Sequence, residues 1–417
     1  MPTAFDHEQD CPLLMSTTQT TSAQVSAFRI FWPMLVIAGL AINLRPTVTA
    51  TGPLLEKIIA NTGLGLQSAS LLTVLPMLCM GLIPLLLPWL ERRFSESRLV
   101  TAGLFAIAMG SLWRLSLDDS RSLIASALLA GTGIAIVQAI IPSLVKRWYP
   151  QHAPLAMGGY SASLMAGGGI AAMLSPLVAK HYGSWQSGLG IWLIPAFIAL
   201  LLWWSRPREN LNIKDSKVSI NFFGKRRAWL LACYFGLANG GYACMVAWLP
   251  SYAQELGWSA QDSGELIGIM TVFQVIGALA APLLCSSRLD RRPWLFFAVA
   301  IQLVGFSGLI LAPELMLNTW VSMIGCGLGA CFALTLTVTL DHLPTPKLAG
   351  ALTAFVQGVG FIITATTPYI AGVLREWTGS FQASWLMLLL SLMLMLAITI
   401  RLSPASYAKA MSLSSNE

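Results

Sequence analysis

The sequence has 417 residues, of which 56% are hydrophobic and only 10% are charged, and its formal net charge is +7. An ordinary soluble domain carries roughly a quarter charged residues, so this composition excludes a soluble protein and indicates that a lipid bilayer is the solvent. The positive charge does not indicate nucleic-acid binding, because Lys and Arg lie in short clusters between apolar runs and not along an aromatic-lined groove.

The chain begins with a polar segment, residues 1–28, in which Asp6, Glu8 and Asp10 are acidic. The segment lacks the basic start and short apolar core of a cleavable signal peptide. We therefore expect a disordered N-terminal tail, with Met15 as an alternative start of translation.

Twelve apolar windows follow the tail, and each approaches the roughly 20 residues that a helix needs to cross a hydrocarbon layer of roughly 30 Å. The windows cover 30–55, 67–90, 99–117, 121–145, 153–179, 187–205, 228–253, 263–285, 294–312, 316–340, 348–373 and 383–402. The pattern predicts an all-α integral membrane protein with twelve transmembrane helices.

The basic residues orient these helices. Most of the 25 Lys and Arg residues lie in alternate loops, on the side of the membrane that also holds both termini. The opposite loops hold few: Lys57, Arg114, Arg121, Lys180 and Arg375. Loops rich in Lys and Arg stay in the cytoplasm, so both termini are predicted to be cytoplasmic, in a bacterial inner membrane.

An internal repeat divides the chain. The sequence GSWQ at 183–186 returns as GSFQ at 379–382, and the turn at 148–150 has a counterpart at 342–344 at nearly the same spacing. Matches that keep their order and spacing indicate parallel repeats, an arrangement typical of secondary transporters that bind substrate between the halves near the midplane. The predicted organisation is an N-terminal tail at 1–28, a six-helix bundle at 29–205, a cytoplasmic linker at 206–227, a second six-helix bundle at 228–402 and a C-terminal tail at 403–417.

Arg45 is the principal candidate for a substrate contact. At about 1.5 Å per residue from Phe31 it lies about 20 Å along the first helix, inside the hydrocarbon span. A charge there persists only where it faces a polar cavity or an internal partner. No acidic residue lies deep in any predicted span, so an anionic substrate is the expected partner, and an Arg locked to a carboxylate or to helix-end carbonyls is the alternative.

Pro46 follows Arg45 directly and is expected to bend the helix, because its ring removes a backbone hydrogen bond. Asn43 and Thr47 flank this position. We interpret the segment 43–47 as a polar pocket for a small planar anion, which the arginine fork can hold with two parallel hydrogen bonds.

Neutral polar side chains near the middle of other predicted helices complete the candidate substrate contacts. They are Asn239 and Tyr242 in the seventh helix and Gln138, Tyr160, Gln274 and Gln357 in the fourth, fifth, eighth and eleventh helices. For each of them, hydrogen bonding between helices is the alternative role.

Metal, cofactor and enzyme chemistry are not indicated. The four histidines fall in predicted tails and loops, and the seven cysteines show neither Cys-x-x-Cys nor Cys/His ligand spacing. We predict no metal site, no cofactor and no catalytic residues, since no Ser/His/Asp constellation is present. The expected partners are a small-molecule substrate, anionic in character, and the lipid bilayer, with no nucleic acid, and the protein is expected to be a monomer.

Five runs of residues resemble the cyanate permease family of the major facilitator superfamily. They are NLRP at 43–46, GPLL at 52–55, LLTVLP at 71–76, QAIIPSLVKR at 138–147 and MAGGG at 165–169. The resemblance implies a twelve-helix permease with the major facilitator fold. Members of the family are proposed to move cyanate, and a related member is linked to export of 2-nitroimidazole.

The loop after the second helix departs from the superfamily pattern of an acidic residue followed by a basic cluster in a glycine-rich frame. Residues 91–98 keep the charges without the glycines, and the second copy at 288–292 is closer to the pattern. These charges are interpreted as a conformational latch or, alternatively, as topology signals alone. The candidate latch residues are Arg92, Arg93, Asp290 and Arg291.

Three functions remain open on this basis. The leading hypothesis is a secondary active transporter that moves a small anionic or polar solute, such as cyanate, by alternating access. The first alternative is an exporter of 2-nitroimidazole or another small xenobiotic, and the second is a membrane sensor that transports nothing. Import, export and proton coupling are also undecided, because only Glu56 and Glu265 lie near the predicted pathway, both close to helix ends.

Overall fold

The computed structural model describes residues 31–63, 66–116, 119–206, 221–258 and 260–411. The predicted tail at 1–28 and most of the predicted linker, 207–220, lie outside the described residues. Within the described ranges, twelve helices are long and apolar enough to cross a membrane. They are α1 Phe31–Leu54, α2 Leu66–Arg93, α3 Glu96–Ser116, α4 Ser120–Trp148, α5 Ala153–Tyr182, α6 Trp185–Ser205, α7 Arg226–Glu255, α8 Ala260–Cys285, α9 Arg292–Leu311, α10 Pro313–Asp341, α11 Pro346–Thr378 and α12 Gln382–Arg401.

Each predicted window coincides with one of these helices to within a few residues. The helices extend beyond several windows because their polar ends continue the helical hydrogen bonds outside the hydrocarbon layer. For example, α4 includes Lys146 and Arg147 in its last turn. The predicted all-α fold with twelve transmembrane helices in two six-helix bundles is confirmed.

The helices α1–α6 form one bundle and α7–α12 form the other. The bundles meet mainly where α2 and α4 pack against α11 and where α5 packs against α8. Glycines bring the backbones close at these crossings. A Cβ on Gly81 would lie 3.0 Å from Ile362, and a Cβ on Gly158 would lie 3.0 Å from the carbonyl oxygen of Ala278. Small residues at such positions stabilise helix pairs by allowing close packing in lipid.

We call the membrane side on which α1 begins and α12 ends the basic side, and the other side the opposite side. The described hydrogen bonds and close glycine contacts that join the two bundles run from the basic side to mid-membrane. At the basic end, a Cβ on Gly350 of α11 would lie 2.5 Å from Cβ of Ser143 of α4. Near the middle, a Cβ on Gly169 of α5 would lie 2.8 Å from Cγ2 of Thr271 of α8. The bundles are therefore closed together on the basic side.

The described part of the C-terminal segment is ordered against the second bundle on the basic side. It contains a 3-10 turn, Pro404–Ser406, and a short helix, Tyr407–Met411. The ring of Tyr407 stacks on His342 with centroids 3.8 Å apart. Arg227 at the start of α7 donates from Nη2 to the hydroxyl of Ser406 at 2.7 Å. The predicted tail at 403–417 thus includes a docked segment.

Candidate functional site

The first membrane helix is broken at mid-membrane. Its first part covers 31–42, residues 43–45 form a turn, and a short helix Pro46–Thr49 follows. Pro46 has no N–H to continue the helical hydrogen bonds, which explains why the break falls here. Arg45 is the residue immediately before the short helix, with φ −113° and ψ −29°. The bend expected from Pro46 is present as a full interruption of the helix.

Asn43 stabilises the break. Its Nδ2 donates to the carbonyl oxygen of Gly39 at 2.7 Å, one turn earlier, and to the carbonyl oxygen of Pro195 in α6 at 3.1 Å. The side chain is 3% exposed. The amide therefore satisfies a carbonyl at the end of the first helical part and joins it to α6, and these bonds occupy the donors proposed for substrate.

Arg45 is buried between the two bundles. Its guanidinium carbon lies 5.2 Å from the ring centroid of Tyr242 on α7, in the other bundle. Its Nε is buried and has no hydrogen-bond partner. No carboxylate in the described part of the chain forms an ion pair with Arg45. A buried guanidinium without a counter-ion is electrostatically expensive, so the arrangement is suited to receive an anion.

Two residues of α5 shape the surroundings of Arg45. A Cβ on Gly168 would lie 3.2 Å from Cβ of Arg45 and 3.7 Å from its Cγ, so the glycine leaves room for the arginine stem. Tyr160 is fully buried, and its hydroxyl has no hydrogen-bond partner. That hydroxyl is close enough to Arg45 to interact with it electrostatically. Tyr160 and Tyr242 thus both lie near Arg45, and their contact with a substrate stays a prediction.

Gln138 and Gln357 form a bridge between the bundles. Nε2 of Gln138 in α4 donates to Oε1 of Gln357 in α11 at 3.1 Å. The remaining polar atoms, Oε1 of Gln138 and Nε2 of Gln357, are buried without partners. The bridge therefore keeps one acceptor and one donor available at the interface.

The structure shows packing and hydrogen-bond contacts for the other predicted substrate contacts. Asn239 donates from Nδ2 to the carbonyl oxygen of Phe235 in its own helix at 2.9 Å. Gln274 is buried, and Gly329 of α10 packs directly against its backbone. Thr47 is buried, and its carbonyl oxygen accepts a hydrogen bond from the hydroxyl of Thr51 at 3.1 Å. No described hydrogen bond or ring contact connects Asn239 or Gln274 to Arg45.

The four candidate latch residues do not form one cluster. Arg92 and Arg93 are exposed, and Arg93 lies over the ring of Trp89 at 4.5 Å. Asp290 pairs with Arg292, two residues away, at 2.7 Å, and this hydrogen bonding holds the pKa of Asp290 below its usual value. Arg291 is buried and lies 3.3 Å from Asp341, and it also donates to the carbonyl oxygen of Cys285.

Lys146 forms the cross-bundle contact at the basic end, which sequence reasoning missed. From the end of α4, its ammonium group donates to the carbonyl oxygens of Leu340 and Leu343, at the end of α10 in the other bundle. The last carbonyls of a helix carry partial negative charge and have no partner within the helix. Lys146 therefore caps α10 from the first bundle and helps to close the basic side.

Arg114 is also misplaced by the sequence prediction, which assigned it to a loop. The structure buries its side chain to 2% exposure at the end of α3. The physical reason is tertiary packing: α1 and α4 supply polar groups that accept from its guanidinium. A sequence signal existed, because the third apolar window, 99–117, includes this residue.

Two six-helix bundles, a helix broken at mid-membrane and a buried, unpaired arginine between the bundles define a secondary transporter. The chain belongs to the Major Facilitator Superfamily, whose model matches residues 31–368. It is a multi-pass membrane protein that handles a small molecule, as its relatives do.

Similar proteins agree with this assignment and confirm the family resemblance. The chain is 41% identical to the cyanate transport protein CynX of Escherichia coli (strain K12) over 90% of this chain and 98% of that protein. It is 30% identical to the 2-nitroimidazole transporter of the same organism, over 84% of this chain and 90% of that protein. The solved structure of the Major Facilitator Superfamily transporter FucP in the outward conformation has a TM-score of 0.71 at 14% identity, over 89% of this chain and 98% of that structure.

Proposed function

We propose that the protein moves a small monovalent anion, with cyanate as the candidate, across the inner membrane by alternating access. The observation that carries this proposal is Arg45, which is 7% exposed, lies at a helix break between the bundles and has no ion-pair partner among the described residues. The 41% identity to a cyanate transport protein supports cyanate as the anion. In this proposal Arg45 is the principal substrate contact.

We propose that two further buried groups take part in the recognition of a small anion. The Tyr160 hydroxyl and Nε2 of Gln357 are buried donors without partners, and both belong to helices that face the other bundle. Charge-assisted hydrogen bonds from such donors to an anion are stronger than bonds between neutral groups. An anion that engages α1, α5 and α11 together would draw the two bundles towards each other around it.

The transport cycle follows from the closed basic side. Because loops rich in Lys and Arg remain in the cytoplasm, we assign the basic side, and both termini, to the cytoplasm. On this assignment, we propose that the conformation with the closed basic side is the outward-facing one. Opening of the basic side requires Lys146 to leave the end of α10 and the Gln138–Gln357 bridge to break. Each protomer contains a complete pathway, so we propose a monomer.

Export of 2-nitroimidazole is the second candidate. The observation that favours it is the ring of Tyr242 beside Arg45. The ring offers an aromatic surface for stacking, and the neighbouring guanidinium can donate hydrogen bonds to nitro oxygens. Identity to the 2-nitroimidazole transporter is 30%. Both candidates use the same site, so one assay distinguishes them.

The deciding experiment is solute flux in proteoliposomes containing the purified chain. Labelled cyanate and 2-nitroimidazole are offered separately, with and without an imposed pH gradient. We expect saturable cyanate uptake whose apparent affinity falls roughly a hundredfold in Arg45→Gln and is unchanged in Arg121→Gln, a change at an exposed arginine. Saturable flux of 2-nitroimidazole alone would replace the first candidate by the second, and no flux of either solute would leave the non-transporting alternative.

The pH gradient tests energy coupling in the same experiment. Glu265 at the opposite-side end of α8 is exposed, and the described carboxylates lie near helix ends rather than beside Arg45. We therefore propose that cyanate flux follows the anion gradient and the membrane potential. Uptake driven by a pH gradient alone would contradict this proposal.

A further inference from the structure

Arg114 is a second buried arginine in the first bundle. The helix Glu96–Trp113 tightens at its end into the 3-10 turn Arg114–Ser116. The side chain does not point to the membrane surface but turns inward, and only 2% of it is exposed. Its neighbour Leu115 is 45% exposed, so the inward direction is specific to the arginine.

The guanidinium of Arg114 joins α3 to α1 and α4 through neutral groups. Nε donates to the hydroxyl of Ser126 in α4 at 3.2 Å, and Nη1 donates to the carbonyl oxygen of Thr47 in α1 at 3.4 Å. Nη2 is buried and has no partner. No charged group in the described part of the chain neutralises it.

The contact with Thr47 connects Arg114 to the anion site. Thr47 is the second residue of the short helix Pro46–Thr49, which begins directly after Arg45. The carbonyl oxygen of Arg45 accepts from the backbone N–H groups of Val48 and Thr49 at 3.0 Å and 3.1 Å. Arg114 therefore holds the turn that determines where the Arg45 side chain begins.

Packing alone does not explain an arginine here. A buried charge without a counter-ion costs several kcal/mol, and an apolar side chain of similar volume fills the same space at lower cost. A neutral polar residue could make either hydrogen bond. What only a cation adds is a fixed positive potential behind Arg45, which stabilises a bound anion and has no effect on a neutral solute.

We propose that Arg114 is a positioning and selectivity residue: it holds the turn that carries Arg45 and supplies a second positive charge that favours anions. This inference rests on the proposed transport of an anion through Arg45. Arg114 does not touch the substrate in this conformation, because its guanidinium is enclosed by α1, α3 and α4.

Transport kinetics provide the first test. In Arg114→Gln we expect the KM for cyanate to rise about tenfold, while Vmax changes less than about twofold. A tenfold change is the order of the effect of one unit charge over roughly 10 Å at an effective dielectric constant of about 20. Arg114→Lys keeps the charge and should stay within about threefold of the unmodified KM. The matched control is Arg121→Gln, at an exposed arginine close to the same membrane side. A purely structural role of Arg114 predicts instead that Vmax falls and that transport is impaired in Arg114→Lys as much as in Arg114→Gln. That result would overturn the proposal.

A second measurement reads the charge without transport. Tyr242→Cys is introduced beside Arg45 in a chain whose native cysteines are replaced by alanine, and its reaction rates with anionic and cationic methanethiosulfonates are compared. Because the same potential acts with opposite sign on the two reagents, Arg114→Gln should lower the ratio of anionic to cationic rates by about tenfold to a hundredfold, and Arg114→Lys should preserve it. An unchanged ratio in Arg114→Gln refutes the inference. If the unmodified chain moves no cyanate, the proposed function fails, and this ratio still decides the role of Arg114.

Discussion

Replacement of Arg45 should weaken transport and strengthen the fold at the same time. The perturbation is Arg45→Gln, which removes the charge and retains hydrogen-bonding capacity. Two charge-assisted hydrogen bonds from an arginine fork to an anion contribute about 3 kcal/mol after desolvation, so apparent affinity for cyanate should fall roughly a hundredfold. Arg45→Lys keeps a point charge and loses the fork, and about a tenfold loss is expected.

In the same variants, folding stability should increase while transport weakens. Arg45 is buried, and no described carboxylate pairs with it, so its removal relieves a desolvation cost of several kcal/mol. Loss of the contact with Tyr242 offsets about 1 kcal/mol of that gain. Arg45→Gln should therefore unfold at a temperature several degrees higher in detergent without substrate. Replacement of an arginine with a purely structural role would instead lower the unfolding temperature.

The assay pairs cyanate flux in proteoliposomes with thermal unfolding of the same purified samples, and Arg121→Gln serves as the control. The reasoning is refuted if Arg45→Gln transports cyanate with an unchanged KM. It is refuted equally if the variant reaches the membrane but unfolds at a lower temperature than the unmodified chain.

Three further predictions concern closure, packing and pH. Lys146→Gln removes the cap on α10 and should shift the conformational equilibrium towards an open basic side by about 1 kcal/mol, or roughly fivefold. Spin-label distances across the basic side measure this shift, with Arg98→Gln as the control at an exposed arginine, and unchanged distances in Lys146→Gln would contradict the prediction. Gly329→Ala should lower the unfolding temperature strongly or prevent folding, because the added Cβ would overlap the carbonyl oxygen of Gln274. Gly268→Ala, whose Cβ would have nothing within 4 Å, should be neutral or stabilising, and equal effects of the two changes would contradict the close packing of α10 on α8. Burial and the nearby Arg227 and Lys146 lower the pKa of His342 from 6.5 to about 4. Between these pH values the unfolded chain binds more protons than the folded chain, so the free energy of unfolding should fall by up to about 3 kcal/mol as pH drops from 7 to 4. His342→Gln should remove this share of the pH dependence in thermal unfolding curves.

The twelve helices could be predicted because apolar length is a local property of the sequence. The break before Pro46 was also predictable, since a missing N–H acts on its own helix whatever surrounds it. Arg45 was recognised because a charge so far inside an apolar window has few explanations.

Residues whose roles depend on distant backbone groups were not predictable. Lys146 looks like an ordinary basic residue at a helix end, and its partners are carbonyl oxygens at Leu340 and Leu343, which every residue type possesses. Arg114 lies at the margin of its window, where the choice between loop and interior depends on what α1 and α4 place beside it. The hydrogen bond of Asn239 to the carbonyl oxygen of Phe235 in its own helix was likewise not predictable from residue type alone.

The way Lys146 closes the basic side has a consequence for genetics. A bridge between two side chains can be restored by exchanging the residues, and a lost partner can be compensated by a new charge at the same position. Main-chain carbonyls cannot be mutated away or reversed in sign, so the α10 end of this contact is the same in every variant that keeps the helix. Suppressors of a Lys146 substitution should therefore arise as new cations elsewhere near the end of α10, and not as charge exchanges at residues 340 or 343.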